Sequence, residues 1–261
     1  MNEGIVDLTD DRAIVPVLEE RRRWAAYALC DLEQPHRQYA RYIGAVRGGR
    51  AEAVVLAYAP PGFTSLLPCG SAEGVRTILA RAPDLPPKPL LIARRADLPA
   101  VEARYRVDKI WTMLRMAVSA PELRPSRAGA ALRLLAPDDL PALRELYALW
   151  PDTVFTPFMF AHGIYYGAYA DDRLVAVAGT HAFSVRYGVG VIGNVYTRPD
   201  YRGHGLAGAV TGAVARAMME RGVRDVALNV REDNQPAIAA YTRLGFAMYE
   251  PFYEANATLT S

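Results

Sequence analysis

The chain has 261 residues, of which 51% are hydrophobic and 22% are charged, and its formal net charge is +2. This composition is typical of a globular protein with one large domain or two small ones. A charge so small and mixed argues against a nucleic-acid-binding face. Cys30 and Cys69 are the only cysteines, and no Cys/His cluster has zinc spacing, so we expect neither a disulfide framework nor a bound metal.

The chain shows no signal that would direct it to a membrane or out of the cell. Its first residues are acidic and lack a long apolar run, unlike a secretory signal. The longest apolar stretches, such as residues 53–59, are far shorter than the ~20 residues of a membrane span. We therefore expect a cytoplasmic soluble protein with no membrane partner.

The first half of the chain predicts a mixture of helices and strands. Helices are expected over residues 12–32, 73–82 and 98–105. Strands are expected over residues 42–46, 53–59, 64–67, 89–94 and 110–118. A cluster of Pro, Ser and Gly at 121–130 then predicts a linker, with one domain over 1–125 and another over 131–261.

The second half has clearer periodicity. A helix opens at Asp138 or Asp139, and a loop with Pro151 and Pro157 follows it. Strands are expected over residues 165–170, 173–184, 188–197, 223–230 and 246–255, and helices over 206–221 and 234–245. The fold class is therefore mixed α/β.

The two halves end in similar segments. Residues 102–118 parallel residues 239–255, since both place a Tyr about eight residues before a terminal strand. We interpret the first half as a degenerate copy of the second. An unrelated α/β cap is the alternative interpretation.

One segment, VYTRPDYRGHGLAGAV, has the pattern of an anion site. A strand ends near Thr197 and a helix begins near Leu206. Gly203 and Gly205 between them allow the backbone to turn its N–H groups outward, because glycine has no Cβ penalty at positive φ. The helix N-terminus adds a partial positive charge, so this turn is suited to a pyrophosphate.

The segment also contains the dinucleotide pattern G-x-G-x-x-G over residues 203–208, with Glu232 and Asp233 after the next strand. Three observations weigh against an NAD-dependent oxidoreductase. The glycines do not follow the strand directly, too few residues remain for a doubly wound sheet, and the preceding strands form hairpins.

A second interpretation fits better. Arg202, Gly205 and Ala207 form R-x-x-G-x-A, which resembles the cofactor loop of the GCN5-related N-acetyltransferases, the GNAT superfamily. More residues follow in that family's order and spacing: Asn234, Ala237, Ile238, Tyr241, Leu244, Gly245 and Phe246. The resemblance covers residues 131–255. Residues 64–75 stand where the first half would carry its loop, and they lack the motif.

The resemblance implies a tandem GNAT protein with one degenerate half, similar to mycothiol-synthase-like and glycine-acyltransferase-like members. It implies a central mixed, mostly antiparallel twisted sheet flanked by helices in each half. It also implies acetyl-CoA as co-substrate and transfer to a primary amine of a small molecule, or of a peptide, by direct attack in a ternary complex. A monomer or a homodimer is expected. The alternative is a non-catalytic acyl-CoA sensor with the same fold.

The resemblance assigns site residues as follows. Tyr241 is the expected catalyst, because a phenol can donate its proton to a leaving thiolate. His204 is expected to contribute only its backbone N–H, and Arg202 either touches phosphate or fixes the loop. The expected cofactor-binding residues are Val195, Tyr196, Thr197, Arg202, Gly203, His204, Gly205, Leu206, Ala207 and Asn234.

The general base is not evident in the sequence. Residues 185–198 contain no Asp or Glu, and Asn229 stands where some relatives carry a Glu. An ordered water, a neutral incoming amine, or His181 are the candidates. The aromatic segment 155–166, with His162, lines either an acceptor pocket or the core.

Overall fold

The computed structural model describes residues 4–126, 131–151 and 153–260. It divides into two compact units, Met1–Arg115 with Glu250–Ser261, and Met116–Tyr249. The division therefore differs from the expected boundary, and the end of the chain belongs to the first unit. Residues 127–130 of the expected linker lie outside the described residues.

The first half contains six strands and four α-helices in its described residues. The strands are β1 (Gly4–Leu8), β2 (Ala40–Arg47), β3 (Arg50–Tyr58), β4 (Ser65–Gly70), β5 (Leu90–Arg94) and β6 (Tyr105–Ser119). The helices are α1 (Asp11–Glu19), α2 (Ala26–Cys30), α3 (Ala72–Arg81) and α4 (Leu98–Glu102). Short 3₁₀ turns lie at Arg37–Tyr39 and Ala120–Glu122.

The second half repeats this inventory. Its strands are β7 (Leu132–Leu134), β8 (Tyr165–Ala170), β9 (Arg173–Ser184), β10 (Val189–Thr197), β11 (Asp225–Arg231) and β12 (Ala247–Leu259). Its helices are α5 (Leu140–Tyr147), α6 (Pro157–His162), α7 (Leu206–Glu220) and α8 (Gln235–Arg243). Short 3₁₀ turns lie at Pro137–Asp139 and Pro199–Tyr201.

The two halves have the same order of elements. Each runs strand, two helices, three strands, helix, strand, helix, strand when the 3₁₀ turns are set aside. Such a match over ten elements supports two copies of one fold in tandem and argues against an unrelated cap. The expected mixed α/β class is confirmed.

The first unit is built on the strand order β1-β2-β3-β4-β5-β12. Its pairs are antiparallel except β4 and β5, which are parallel. The last strand pairs with β5 from Phe252 opposite Arg94 to Asn256 opposite Leu90. No local pattern in residues 247–259 could reveal a partner from the first half of the chain.

The second unit has the order β11-β10-β9-β8-β7. Here β10 and β11 form the parallel pair, and the other pairs are antiparallel. Helix α7 packs against β8, β9 and β10, and α8 packs against α7. Gly212 of α7 allows this approach, since a Cβ there would lie 3.2 Å from Cδ2 of Leu244.

The expected long helix over 12–32 is interrupted between α1 and α2. Trp24 is fully buried there, and its indole N–H donates to the carbonyl of Pro68. The buried Arg115 donates to the carbonyl oxygens of Trp24 and Arg23, at 2.6 and 3.3 Å. These bonds tie the interrupted backbone to residues outside the segment. Helix α6, which the sequence analysis treated as loop, is a second difference.

No described helix is long and apolar enough to cross a membrane. The same part of the chain holds no group of three His, Cys, Asp or Glu residues suited to a metal ion.

Candidate active site

The parallel pair of the second unit separates partway along its length. Strands β10 and β11 pair only from Val189 opposite Asp225 to Ile192 opposite Leu228. Strand β10 continues to Thr197 and β11 to Arg231. The facing edges of residues 193–197 and 229–231 therefore do not pair with each other, and their backbone groups can bind an extended ligand arm.

The residues expected to bind the cofactor arm lie on this separated part of β10. Tyr196 stacks on Trp150, with ring centroids 5.6 Å apart and planes 14° apart, and its hydroxyl donates to the carbonyl of Leu149. Thr197 is 9% exposed, and its Oγ1 has no hydrogen-bond partner among the described residues. The side chain of Tyr196 is thus occupied with packing, which leaves the backbone for binding.

The loop between β10 and α7 runs from Arg198 to Gly205. Gly203 and Gly205 have φ values of 82° and 77°, as the glycine pattern predicts. No side chain caps α7. Within the described ranges, the backbone N–H groups of residues 203–207 donate no hydrogen bond to the protein. A Cβ on Gly203 would meet nothing within 4 Å. The open, donor-rich turn at a helix N-terminus fits a pyrophosphate.

Two arginines hold this loop in place. Arg202 donates through Nε to the carbonyl of Thr197, at 3.2 Å, and its guanidinium lies 5.8 Å from the ring centre of Tyr196. The buried Arg198 donates to the carbonyl of Leu174 and to the carboxylate of Glu145. Of the two roles considered for Arg202, fixing the loop is the one for which the structure gives contacts.

Helix α8 carries the remaining predicted site residues. Asn234 caps it, since Oδ1 accepts from the N–H of Ala237 at 3.3 Å. Tyr241 is 6% exposed, and burial raises the pKa of its phenol above the ordinary value. Its ring lies 6.2 Å from that of Phe246, and its hydroxyl makes no hydrogen bond within the described part of the chain. The phenol therefore stays protonated at neutral pH and is not committed to a protein acceptor.

The strand pair β9–β10 contains two bulges that the sequence analysis missed. His181 is the extra residue of β9, between Thr180 and Ala182, and β10 has an extra residue between Gly193 and Tyr196. Asn194 lies in the second bulge with a φ of 54°. Asn is depleted in strands and tolerates positive φ, so an Asn inside GVGVIGNVYT was the available signal.

Asn194 is the centre of a buried polar network. Its Nδ2 donates to the hydroxyl of Tyr165 at 3.2 Å, and its carbonyl accepts from the hydroxyl of Tyr147 at 2.6 Å. The Asn194 side chain also lies near the His181 imidazole and counteracts part of the burial effect on its pKa. The imidazole lies against Gly193, where a Cβ would be 2.0 Å from Nε2.

His181 is poorly suited to be the general base. Burial lowers the pKa of its imidazole to about 4, and the nearby Asn194 side chain opposes this shift only in part. A group with so low a pKa is a weak proton acceptor at neutral pH. The structure therefore does not favour His181 over an ordered water or a neutral incoming amine.

The aromatic segment 155–166 divides between the two roles considered for it. Tyr165 belongs to the core, and Phe155 and Phe160 pack against that core. Phe158 instead pairs with the exposed His162, their ring centres 4.6 Å apart. Only the outer side chains of α6 are therefore available to an acceptor.

The first half lacks an equivalent loop for a structural reason. Only Ser71 separates β4 from α3, and its hydroxyl caps the helix by accepting from the N–H of Gly74. Strands β4 and β5 also pair briefly, but the buried Arg94 donates to the carbonyl of Gly70 and to Asp97. The N-terminus of α3 and the carbonyl at the end of β4 thus already have hydrogen-bond partners within the protein.

The second unit thus has a parallel pair that splays beside a glycine turn and a helix N-terminus, as the resemblance to the GNAT superfamily predicts. Residues 131–246 match the model of the acetyltransferase (GNAT) family. This match lies in the second half of the chain and supports the resemblance to the family that its motifs predicted.

The chain is also similar to curated proteins. It is 33% identical over 162 residues to the mycothiol acetyltransferase of Actinosynnema mirum, a match that covers 56% of this chain and 54% of that protein. The match thus spans about half the length of this relative.

Solved structures share the fold over nearly the whole chain. A tandem GNAT protein from the clavulanic acid biosynthesis pathway has a TM-score of 0.57 at 17% identity, covering 99% of both chains. A GCN5-related N-acetyltransferase from Kribbella flavida has a TM-score of 0.64 at 18% identity, covering 92% of this chain and 96% of that one. The tandem arrangement is confirmed.

Proposed function

We propose that this protein transfers the acetyl group of acetyl-CoA to a primary amine of a small molecule by direct attack in a ternary complex. The observation that carries the proposal is the separation of β10 from β11 after Ile192 and Leu228, beside the open loop of residues 198–205. The name of several similar curated proteins, mycothiol acetyltransferase, supports a small-molecule acceptor. Two others are named N-alpha-acetyltransferases, which keeps a peptide amine as the alternative acceptor.

The second unit would hold acetyl-CoA at two places. The N–H groups of residues 203–207 and the α7 N-terminus would bind the pyrophosphate. The backbone of Val195, Tyr196 and Thr197 would pair with the amide-bearing arm. One of these N–H groups would then polarise the thioester carbonyl, as an oxyanion donor does. Asn234, at the start of α8, would add a contact to the cofactor.

Tyr241 would supply the proton for the leaving group. The amine nitrogen forms a bond to the thioester carbon, the C–S bond breaks, and the sulfur leaves as a thiolate that takes a proton. The phenol is protonated at neutral pH, since its ordinary pKa is near 10 and burial raises it further, so it holds the proton that this step requires. The attacking amine would enter neutral or lose its proton to water, since β10 carries no carboxylate.

A non-catalytic acyl-CoA sensor is the second candidate. The lack of Asp or Glu in β10, together with Asn229 in β11, favours it, because a sensor needs no base. It would use the same loop and strand edge, so binding alone does not separate the two functions.

Two measurements on the full chain test the proposal. Calorimetric titration with acetyl-CoA, longer acyl-CoAs and NAD(H) identifies the cofactor, and an assay of free-CoA release with an amine panel detects turnover. Binding of acetyl-CoA with amine-dependent release supports the enzyme. Binding without release from any amine supports the sensor, and binding of NAD(H) alone overturns both.

A further inference from the structure

Strands β9 and β10 each have a bulge near the point where β10 separates from β11. Ile192 is the last residue of β10 that pairs with β11. The bulge of β10, on its β9 side, begins after Gly193. A bulge leaves one residue unpaired and re-aims the backbone around it. The backbone groups of residues 194–196 are therefore oriented by whatever holds this bulge.

Two tyrosines from two elements hold it. Tyr147, at the end of α5, donates to the carbonyl oxygen of Asn194 at 2.6 Å. Tyr165, on β8, accepts from the Asn194 amide at 3.2 Å. Asn194 is 5% exposed, so these bonds form away from water, where leaving any of them unmade is costly.

Asn194 is suited to this position by its backbone as well. Its φ of 54° is in the left-handed region, which Asn adopts more readily than most residues. The strained conformation, the bulge and the buried bonds coincide at one residue. Such coincidence is typical of positions where the surrounding structure maintains a functional geometry.

We propose that Asn194 and Tyr147 are positioning residues, which fix the bulge of β10 and thereby the distance between the thioester carbonyl and the backbone N–H that polarises it. This rests on the proposed function, since it presumes that acetyl-CoA lies along β10. Neither side chain is required to touch the substrate. Both act through the backbone of residues 194–196.

Two variants change the network without changing the cofactor loop. Tyr147→Phe keeps the ring, which lies 4.6 Å from that of Phe155, and removes the hydroxyl that bonds Asn194. Asn194→Gly accepts the positive φ at no steric cost and removes the side-chain bonds. Tyr169→Phe is the matched control, since it also removes one tyrosine hydroxyl bond in the second unit, the donation to Asp139 at 2.9 Å.

The first readout needs no acceptor. In wild-type protein, the infrared carbonyl band of bound ¹³C-acetyl-CoA is expected at lower frequency than that of free acetyl-CoA. In Tyr147→Phe and Asn194→Gly, it should return toward the free value while the acetyl-CoA Kd stays within about twofold. Tyr169→Phe should keep the wild-type band.

The second readout is turnover with an accepted amine. Since a misplacement near 1 Å can cost roughly 10²-fold in rate, kcat should fall at least about 10-fold in both variants, with the KM for acetyl-CoA nearly unchanged.

An unchanged carbonyl band and an unchanged kcat in both variants would overturn the positioning proposal and leave the proposed function standing. An equal loss in Tyr169→Phe would also overturn it. No binding of acetyl-CoA by wild-type protein would overturn the proposed function and this inference together.

Discussion

Tyr241 is buried, its hydroxyl makes no hydrogen bond within the described residues, and we propose it as the proton donor. Tyr241→Phe keeps the ring and its contact with Phe246 but removes the donor. We expect kcat to fall by roughly 10²–10⁴-fold, the usual range for general acid catalysis. The acetyl-CoA Kd should change little, because the loop of residues 203–207 would bind the charged part of the ligand.

Tyr105→Phe is the control for this variant. Tyr105 occupies the matching place in the first half's sequence, but it is the first residue of β6 and not part of a helix, so that expected parallel is wrong in the structure. Tyr105 is buried, and its hydroxyl donates to the carbonyl of Pro86. Removal of this hydroxyl should lower the free energy of unfolding and leave kcat unchanged. Normal turnover by Tyr241→Phe on an accepted amine would contradict the catalytic role and favour packing.

His181 provides a pH-dependent contribution to stability. An unfolded histidine titrates near pH 6.5, whereas burial lowers the pKa of His181 to about 4. Between these values the unfolded chain binds a proton that the folded chain does not, so the free energy of unfolding falls as the pH falls. At pH 5.0 this costs about 2 kcal/mol relative to pH 7.5.

The His181→Asn variant isolates this effect. Urea denaturation at pH 7.5 and pH 5.0 should show a smaller loss of stability on acidification in the variant than in the wild type. His162→Asn, at an exposed position, should lose as much as the wild type. An equal loss in all three proteins would show that His181 takes up its proton as readily in the folded chain.

At the scale of elements, the connection between the fourth strand of each half and the next helix separates the two halves functionally. In the second half it is an eight-residue loop, Arg198 to Gly205, and in the first half it is Ser71 alone. A loop needs length to turn several N–H groups toward one anion. The first connection satisfies its helix internally instead.

Gly203→Glu tests the loop directly. The carboxylate would enter the pyrophosphate site and repel its charge, so acetyl-CoA binding should fall below detection in calorimetry. Gly48→Glu is the matched control, because Gly48 also has a positive φ and open space at its Cβ. Both variants should fold equally well, and equal acetyl-CoA affinity in both would show that the loop is misassigned.

The periodic elements could be predicted from the sequence, and the elements set by distant partners could not. Helix α7 and strands β8 to β11 follow local apolar periodicity, so their prediction needed no tertiary information. The interruption near Trp24 involves Arg115, 91 positions away, and the pairing of β12 depends on β5. In the site, the glycine motif predicted the loop, but the bulge at Asn194 arises from bonds to Tyr147 and Tyr165 that no local pattern encodes.

At the scale of the whole molecule, the repeated order of ten elements raises the question of how many cofactors the chain binds. Both halves contain a parallel strand pair that loses its pairing early, β4 with β5 and β10 with β11. In the first half, Arg94 already bonds the end of β4 and is paired with the buried Asp97. Breaking such a pair would leave a buried charge, at a typical cost of 3–5 kcal/mol. The corresponding strand end in the first half is therefore occupied by Arg94 and is not open to a ligand.

Calorimetry of the full chain should therefore give one acetyl-CoA per chain despite the repeat. The second half alone has the long loop and an α7 N-terminus that no side chain caps, so Gly203→Glu should remove all of the binding heat. Gly48→Glu should retain the wild-type stoichiometry and affinity. A stoichiometry near two, or binding that persists in Gly203→Glu with half the wild-type stoichiometry, would contradict this prediction. Either result would mean that the first half accepts acetyl-CoA by displacing Arg94 from Gly70.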